Sequence, residues 1–173
     1  MKNNYHQNQN NTISIELAYG KLTVISKEDF QRVDSYPGTW GLAYDSHVNN
    51  YYVHGYVYEE GKKKTVCLHR FILGVSDRKQ LVDHINHDTL NNTRENLRVV
   101  NNSINGHNIK GPAKNNSTGY SGVTFKKQYN KFVARINNNG KAIHLGYFVT
   151  PEKAYEAYLN AKATIDPLAA LLA

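Results

Sequence analysis

A single cysteine, Cys67, stands in the 173 residues, so the chain can build neither an intramolecular disulfide nor the paired-cysteine zinc clusters that brace some small domains; no structural zinc is expected. A reducing, cytoplasmic setting fits that usage. Long apolar runs are missing as well. The most conspicuous one, residues 168–173, is far too short to span a bilayer. Residues 1–11 are rich in asparagine and glutamine, carry one lysine and lack an apolar stretch, which excludes a secretion signal and reads as a disordered leader. Acidic residues are few: 14 stand against 21 lysines and arginines, for a formal net charge of +7. No basic amphipathic helix accompanies that charge, which argues against a membrane surface as its target. A purely solubilising surface is the blander reading of the same charge.

What is present is charge interleaved with thirteen tyrosines, a pattern suited to polyanions, in a chain long enough to bury one respectable core or two small ones. Residues 12–75 alternate: Ile13, Ile15, Leu17, then Leu22 and Val24, then Tyr51, Val53, Tyr56 and Val66, with turn signals at Gly20, Pro37-Gly38 and Glu60-Gly61. This predicts a β-rich segment. Ser26-Lys27-Glu28-Asp29 has the capping-box pattern and opens a short helix through Phe30 and Val33. A brief apolar segment, 68–73, encloses His69 and Arg70 and stops at Gly74.

Residues 81–109 read as a strand (81–85), a polar asparagine-dense loop (86–96), a strand (97–100) and a short helix (101–109). Cutting a phosphodiester in neutral water needs a base for water and a cation on the phosphoryl and leaving oxygens. Asp83-His84 offers a carboxylate and an imidazole at the end of one strand, and Asn105 on the helix can close a metal site. A carboxylate with an amide oxygen is a hard, incomplete ligand set, suited to Mg²⁺ or Mn²⁺ and poor for zinc. Neutral histidine at working pH can accept the water's proton.

These residues, from Asp83-His84-Ile85-Asn86-His87-Asp88-Thr89-Leu90-Asn91-Asn92 through Asn96-Leu97-Arg98 to Asn105, resemble the HNH endonucleases of phages and mobile introns. The resemblance implies the ββα-metal fold, with Asp83 and Asn105 as metal ligands and His84 as general base. It further implies Asn96 as the structural residue that pins the loop and holds the base. The last letter of the motif is asparagine here rather than histidine, a variation that bears on metal affinity and preference. His69-Arg70 matches a pair that precedes the nuclease core in this branch; Arg70 is expected to touch phosphate or to brace the fold, and Arg98 to contact DNA. His87 and His107 could coordinate metal too, but read more simply as solvent-facing loop histidines.

Gly111-Pro112 and the small polar residues after it make 111–118 a linker. Beyond it, residues 120–125, 132–136 and 142–148 alternate as strands. Turns fall at 128–130 and at Asn138-Asn139-Gly140. Residues 151–163 form a helix, capped by Thr150 and opened by Pro151, with an apolar stripe of Ala154, Tyr155, Ala157, Tyr158 and Ala161 to lie on the sheet. Gly119-Tyr120-Ser121-Gly122-Val123-Thr124-Phe125, Asn130 to Ile136, His144 to Phe148 and Thr150 to Tyr158 resemble the DNA-binding domain of plant ethylene-response factors, over roughly residues 117–165. In that family the sheet enters the major groove. If Phe132, Ala134 and Ile136 face the helix, then Lys131, Val133, Arg135 and Asn137 share the other face, where Lys126, Lys141 and His144 can join them. Thr124, Tyr129 and His144 stand where the plant domains carry arginine and tryptophan, so binding carries over and base preference does not.

The expected whole is an α+β chain. A disordered leader (1–11) precedes an HNH nuclease domain (12–110), in which a β-rich N-terminal segment leads into a ββα-metal core at 81–109. A linker (111–118), a small three-stranded antiparallel sheet plus one helix as DNA-binding domain (119–165) and a tail (166–173) follow. Its expected work is metal-dependent nicking of double-stranded DNA as a homing-type, phage or mobile-element enzyme, in the cytoplasm of a bacterial or phage-infected host, as a monomer or weak dimer. Two rivals are a DNA-binding regulator or architectural protein with an inactive nuclease core, and a packaging-associated phage protein that uses the HNH unit within a larger machine.

Overall fold

The computed structural model describes residues 1–108 and 111–170, and the chain falls into two units, Met1–Val99 and Val100–Ala173. The first contains strands β1 (Tyr5–Gln7), β2 (Thr12–Glu16) and β3 (Leu22–Ser26) and helix α1 (Phe30–Asp34). Strands β4 (Gly41–Asp45), β5 (Asn50–Glu59) and β6 (Lys62–Cys67), helix α2 (Leu68–Leu73), and strands β7 (Leu81–His84), β8 (Asn91–Asn92) and β9 (Leu97–Val100) complete it, the last reaching the boundary. β1, β2, β3 and β8 make one sheet, β4 to β6 a second, and β7 with β9 a third. The two-residue β8 pairs with β3 in parallel, Val24 opposite Asn91 and Ile25 opposite Asn92.

The expected alternation of β2 and β3 buries Ile13, Ile15 and Ile25, which join Val33, Tyr36, Trp40, Val53, Leu68, Ile72 and Leu97 in one core. The aromatic rings of Tyr36, Trp40 and Phe71 pack there, with 4.2 Å between the first two centroids and 5.5 Å between the last two. α2 ends at Gly74, which adopts the left-handed cap.

Residues 1–11 correct the expectation of a disordered leader. β1 pairs with β2 along Tyr5–Gln7, and the Asn3 amide donates to the carbonyls of Glu16 (2.8 Å) and Trp40 (2.9 Å) while its oxygen accepts the Trp40 N–H (2.8 Å). Asn8 covers Ser14 with a 3.0 Å bond. An edge strand held by backbone and amide bonds, with every β1 side chain exposed, leaves no hydrophobic pattern to read. The capping box is corrected too. Ser26 caps nothing with its side chain; its hydroxyl accepts the Arg94 N–H (2.9 Å), and Asp29 holds the Arg94 guanidinium instead.

The second unit contains α3 (Asn102–His107), β10 (Val123–Lys126), β11 (Lys131–Asn138), β12 (Lys141–Phe148), α4 (Pro151–Ile165) and α5 (Pro167–Ala170). β10, β11 and β12 form an antiparallel sheet packed against α4. Thr150 caps α4 by accepting the Lys153 N–H, Pro151 sits in the first turn, and Ala154, Tyr155 and Ala157 of the stripe meet Val123, Phe132 and Ala134. The β11–β12 hairpin closes through Asn139 and Gly140, both at positive φ (50° and 78°), the conformation that a two-residue type I′ turn requires.

The unit boundary precedes the expected linker. Within 111–118, Asn116 is already part of the fold, donating to the Tyr120 carbonyl (2.9 Å) and accepting the N–H groups of Thr118 (2.8 Å) and Gly119 (2.9 Å). The end of the expected 101–109 helix at Ile109, the close of the nuclease domain at Lys110 and tail residues 171–173 lie outside the described residues. Among the described residues no helix is long and apolar enough to cross a membrane.

Candidate active site and nucleic-acid face

The loop between β7 and β8 is built by its own polar side chains. Asn86 Oδ1 accepts the Asp88 N–H (2.9 Å), Asp88 Oδ1 accepts that of Leu90 (3.0 Å), and His87 takes a φ of 64°. Such Asx turns are why asparagine and aspartate crowd this stretch. Asn96 clasps both ends: Oδ1 accepts the Asn86 N–H (2.9 Å), Nδ2 donates to the carbonyls of Asp88 (3.3 Å) and Asn91 (2.7 Å), and its own carbonyl accepts the Ile85 N–H (2.9 Å).

At the end of β7, Asp83 and His84 meet different neighbours. Asp83 Oδ2 accepts from Arg98 Nε (3.1 Å) and Nη2 (2.9 Å), a pair largely shielded from solvent with each side chain 12 % exposed. The His84 ring is buried against His69 (centroids 5.2 Å apart) and Tyr52 (6.1 Å). Burial lowers the His84 pKa below the ordinary histidine value, opposed by its bond to Asn92 and by the charges of Asp83 and Asp88. His69 falls further, to about 3, through burial first and then the nearby His84 and Arg70. Both rings are therefore neutral at physiological pH, the state in which an imidazole can take a proton.

Asn92 was not singled out by its sequence context. Its side chain is wholly buried and touches His84 Nε2 through Oδ1 (3.1 Å), while Nδ2 donates to Thr23 Oγ1 (2.9 Å) and the Thr89 carbonyl (3.3 Å). Its neighbour Asn91 has the same composition and a turn-making role, so nothing local distinguishes the two. Arg70 braces the fold, donating to the carbonyls of Gln80 (2.8 Å) and Asp77 (2.7 Å).

A carboxylate oxygen of the kind that Asp83 carries suits a hydrated Mg²⁺ or Mn²⁺, and in this structure Arg98 holds that carboxylate. Among the described residues there is no cluster of three or more His, Cys, Asp or Glu able to hold a metal ion.

Asn105 belongs to the second unit, on α3, whose Asn101 cap accepts the Ile104 N–H (2.9 Å). In that unit Ser103 Oγ accepts the Asn139 N–H (2.9 Å) and the His107 ring bonds the Asn137 carbonyl, so α3 rests on the β11–β12 hairpin. His107 is thus buried, a correction to its reading as a solvent-facing loop histidine; the hairpin that covers it lies thirty residues on in sequence.

On the sheet, the register sets Lys126 opposite Lys131, Thr124 and Tyr147 on either side of Val133, and Arg135 opposite His144. These residues share the face away from α4. A bulge between Ala134 and Arg135 skips Leu145, which turns Tyr147 onto that face, where strict alternation puts it beneath the helix. Tyr147 packs its ring on Tyr129 (5.1 Å) and His144 (4.9 Å), and stands opposite the buried Val133 in the register. Asn137 faces the same way, opposite Ala142, whereas Lys141 pairs with Asn138 and so lies on the other face, contrary to the alternation-based expectation. Compared with family models, with curated proteins and with solved structures, the chain matches none.

Proposed function

We propose that this chain is a metal-dependent DNA endonuclease of the HNH type, a homing-type enzyme that nicks double-stranded DNA held by the C-terminal sheet. The observation that carries the reading is a neutral, buried His84 held at Nε2 by Asn92, beside the carboxylate of Asp83, on a loop clasped by Asn96. His84 takes a proton from water as the water oxygen attacks phosphorus; the P–O3′ bond breaks and the departing 3′ oxygen takes a proton from solvent, leaving 5′-phosphate and 3′-hydroxyl ends. Asp83 would offer a carboxylate oxygen to a Mg²⁺ or Mn²⁺ ion, which when bound would supply charge neutralisation at the phosphoryl and leaving oxygens, and Asn105 is the second ligand that the HNH resemblance implies. Lys126, Lys131, Arg135, Asn137 and His144, with the Tyr129–Tyr147 pair among them, hold the duplex by phosphate contacts and stacking.

The Arg98 guanidinium on Asp83 favours a second reading, a DNA-binding regulator or architectural protein whose nuclease core no longer cuts. One experiment separates the two: conversion of supercoiled plasmid, and of the gene's own flanking DNA, with Mg²⁺, Mn²⁺ or chelator, by wild type, His84→Ala and Asp83→Ala. The nuclease reading expects metal-dependent nicking by wild type alone. Wild type that binds DNA and leaves every substrate intact with each metal overturns it in favour of the regulator.

A further inference from the structure

We propose that Asn92, itself held by Thr23 of β3, is the positioning residue of the His84 imidazole, so that the N-terminal sheet is part of the catalytic apparatus. The hydrogen bonds from Thr23 through Asn92 to His84 Nε2 fix the proton positions along that path. The Thr23 hydroxyl has one proton, and it goes to the Leu90 carbonyl at 2.7 Å, where a hydroxyl can only donate. Thr23 Oγ1 therefore accepts from Asn92, and the Thr89 carbonyl can do nothing else. Only the amide nitrogen can serve both, so Oδ1 is turned to His84. An amide oxygen only accepts, hence Nε2 carries the proton. With the Nε2 proton held by Asn92, the proton that the neutral ring takes up as a base goes to Nδ1.

Behind the ring the network is shielded from water: Thr23 and Asn92 are 0 % exposed and Thr89 5 %. Its far end is anchored in the sheet, because the Leu90 carbonyl that receives the Thr23 hydroxyl also receives the Val24 N–H (3.0 Å). The short parallel pairing of β8 with β3 thereby joins the base to a strand some sixty residues earlier in the chain. Its purpose in this view is to carry Asn92 to the Nε2 side of the ring. Wrong-tautomer histidine is inert as a base however well the rest of the site is formed.

The rate consequence rests on the nuclease reading; the tautomer does not, and the test uses both. Full-length protein labelled with ¹⁵N-histidine, in chelator at pH 7.5, is examined by long-range ¹H–¹⁵N correlation, with His84→Ala assigning the signals. The expected spectrum places the His84 proton on Nε2 in wild type, a mixture of tautomers in Thr23→Val, which keeps the side-chain shape and removes both hydroxyl bonds, and the wild-type state again in Thr23→Ser. In metal-dependent nicking, Thr23→Val and Asn92→Leu lower kcat roughly 10- to 100-fold with KM for DNA unchanged, the range for losing a partner that orients a site histidine, and Thr23→Ser recovers the rate. A wild-type His84 protonated on Nδ1 overturns the proposal outright. So does a Thr23→Val protein with an unchanged His84 spectrum and unchanged kcat. A wild type with the expected tautomer that cuts nothing sinks the nuclease reading and leaves the positioning of the ring standing.

Discussion

His69 lies with its ring 5.2 Å from that of His84 and 5.9 Å from that of Tyr52, deep enough that its pKa drops to about 3. In the unfolded chain the same group titrates near 6.5. Between those values the unfolded state binds a proton that the folded state refuses, so stability is complete above about pH 6.5 and is lost as pH falls toward 3, by up to about 1.4 kcal/mol per pH unit for this one group. His84 and His54, also lowered by burial, act with the same sign. Urea unfolding at pH 7.5, 6, 5 and 4 checks this: His69→Phe is expected to flatten the decline, and an equal slope in both proteins removes His69 as its source. His69 and His84 are visible in the sequence as two histidines fifteen positions apart. That they share one buried pocket with Tyr52 is a property of how α2 and β5 meet β7, which no spacing encodes.

At the scale of elements, the hairpin turn and the approach of β10 to α4 place two glycines at nearly the same φ in different surroundings. Gly140 (φ 78°) has nothing within 4 Å of the position a Cβ would take, so Gly140→Ala meets only the left-handed backbone cost, about 1–2 kcal/mol. At Gly122 (φ 72°) that atom would lie 2.2 Å from the Tyr158 ring and 2.7 Å from the Arg135 carbonyl, and Gly122→Ala is expected to lose on the order of 3 kcal/mol or more. Denaturant unfolding of the two variants, read by the far-ultraviolet signal of the sheet, ranks them; the reverse order would refute the close packing of Tyr158 on Gly122. Arg94 offers a second case. Its guanidinium grips both oxygens of the buried Asp29, fastening the turn before β9 to the end of β3. Arg94→Met should cost about 1–3 kcal/mol by stranding that carboxylate, and the Asp29→Asn, Arg94→Met double variant should recover part of it. Additive losses in the double-mutant cycle would show the pair to be uncoupled. The hairpin was legible because Asn-Gly states its own conformation. The Ser26–Asp29 pattern misled because its side chains serve a residue sixty-five positions or more away, and a local motif cannot report a distant competitor.

For the whole molecule, the excess of basic residues becomes a testable footprint only through the sheet register. Lys131 and Arg135 lie on the face that also carries Lys126, His144 and Tyr147, so their double alanine variant should weaken DNA binding and reduce the slope of log affinity against log salt by about 0.9 for each phosphate no longer neutralised. Lys141→Ala, on the opposite face, should leave the slope near its wild-type value. A salt titration of duplex binding by fluorescence anisotropy measures both, and equal effects would mean that general charge rather than this face binds the DNA. The sequence by itself determined the features whose causes are local: the alternating strands, the Asn139-Gly140 turn, the Thr150-Pro151 start of α4 and its apolar stripe, and the asparagine-rich loop after Asp83-His84. Tertiary structure alone decided what depends on partners far apart in the chain. Residues 1–11 are ordered by amide bonds to Glu16 and Trp40, Tyr147 is turned outward by a bulge, and His84 is oriented through Asn92 by a threonine sixty-one residues before it. The physical reason is one of range: propensity and periodicity act over a few residues, whereas a buried polar group must find its partner wherever folding brings one within hydrogen-bond reach.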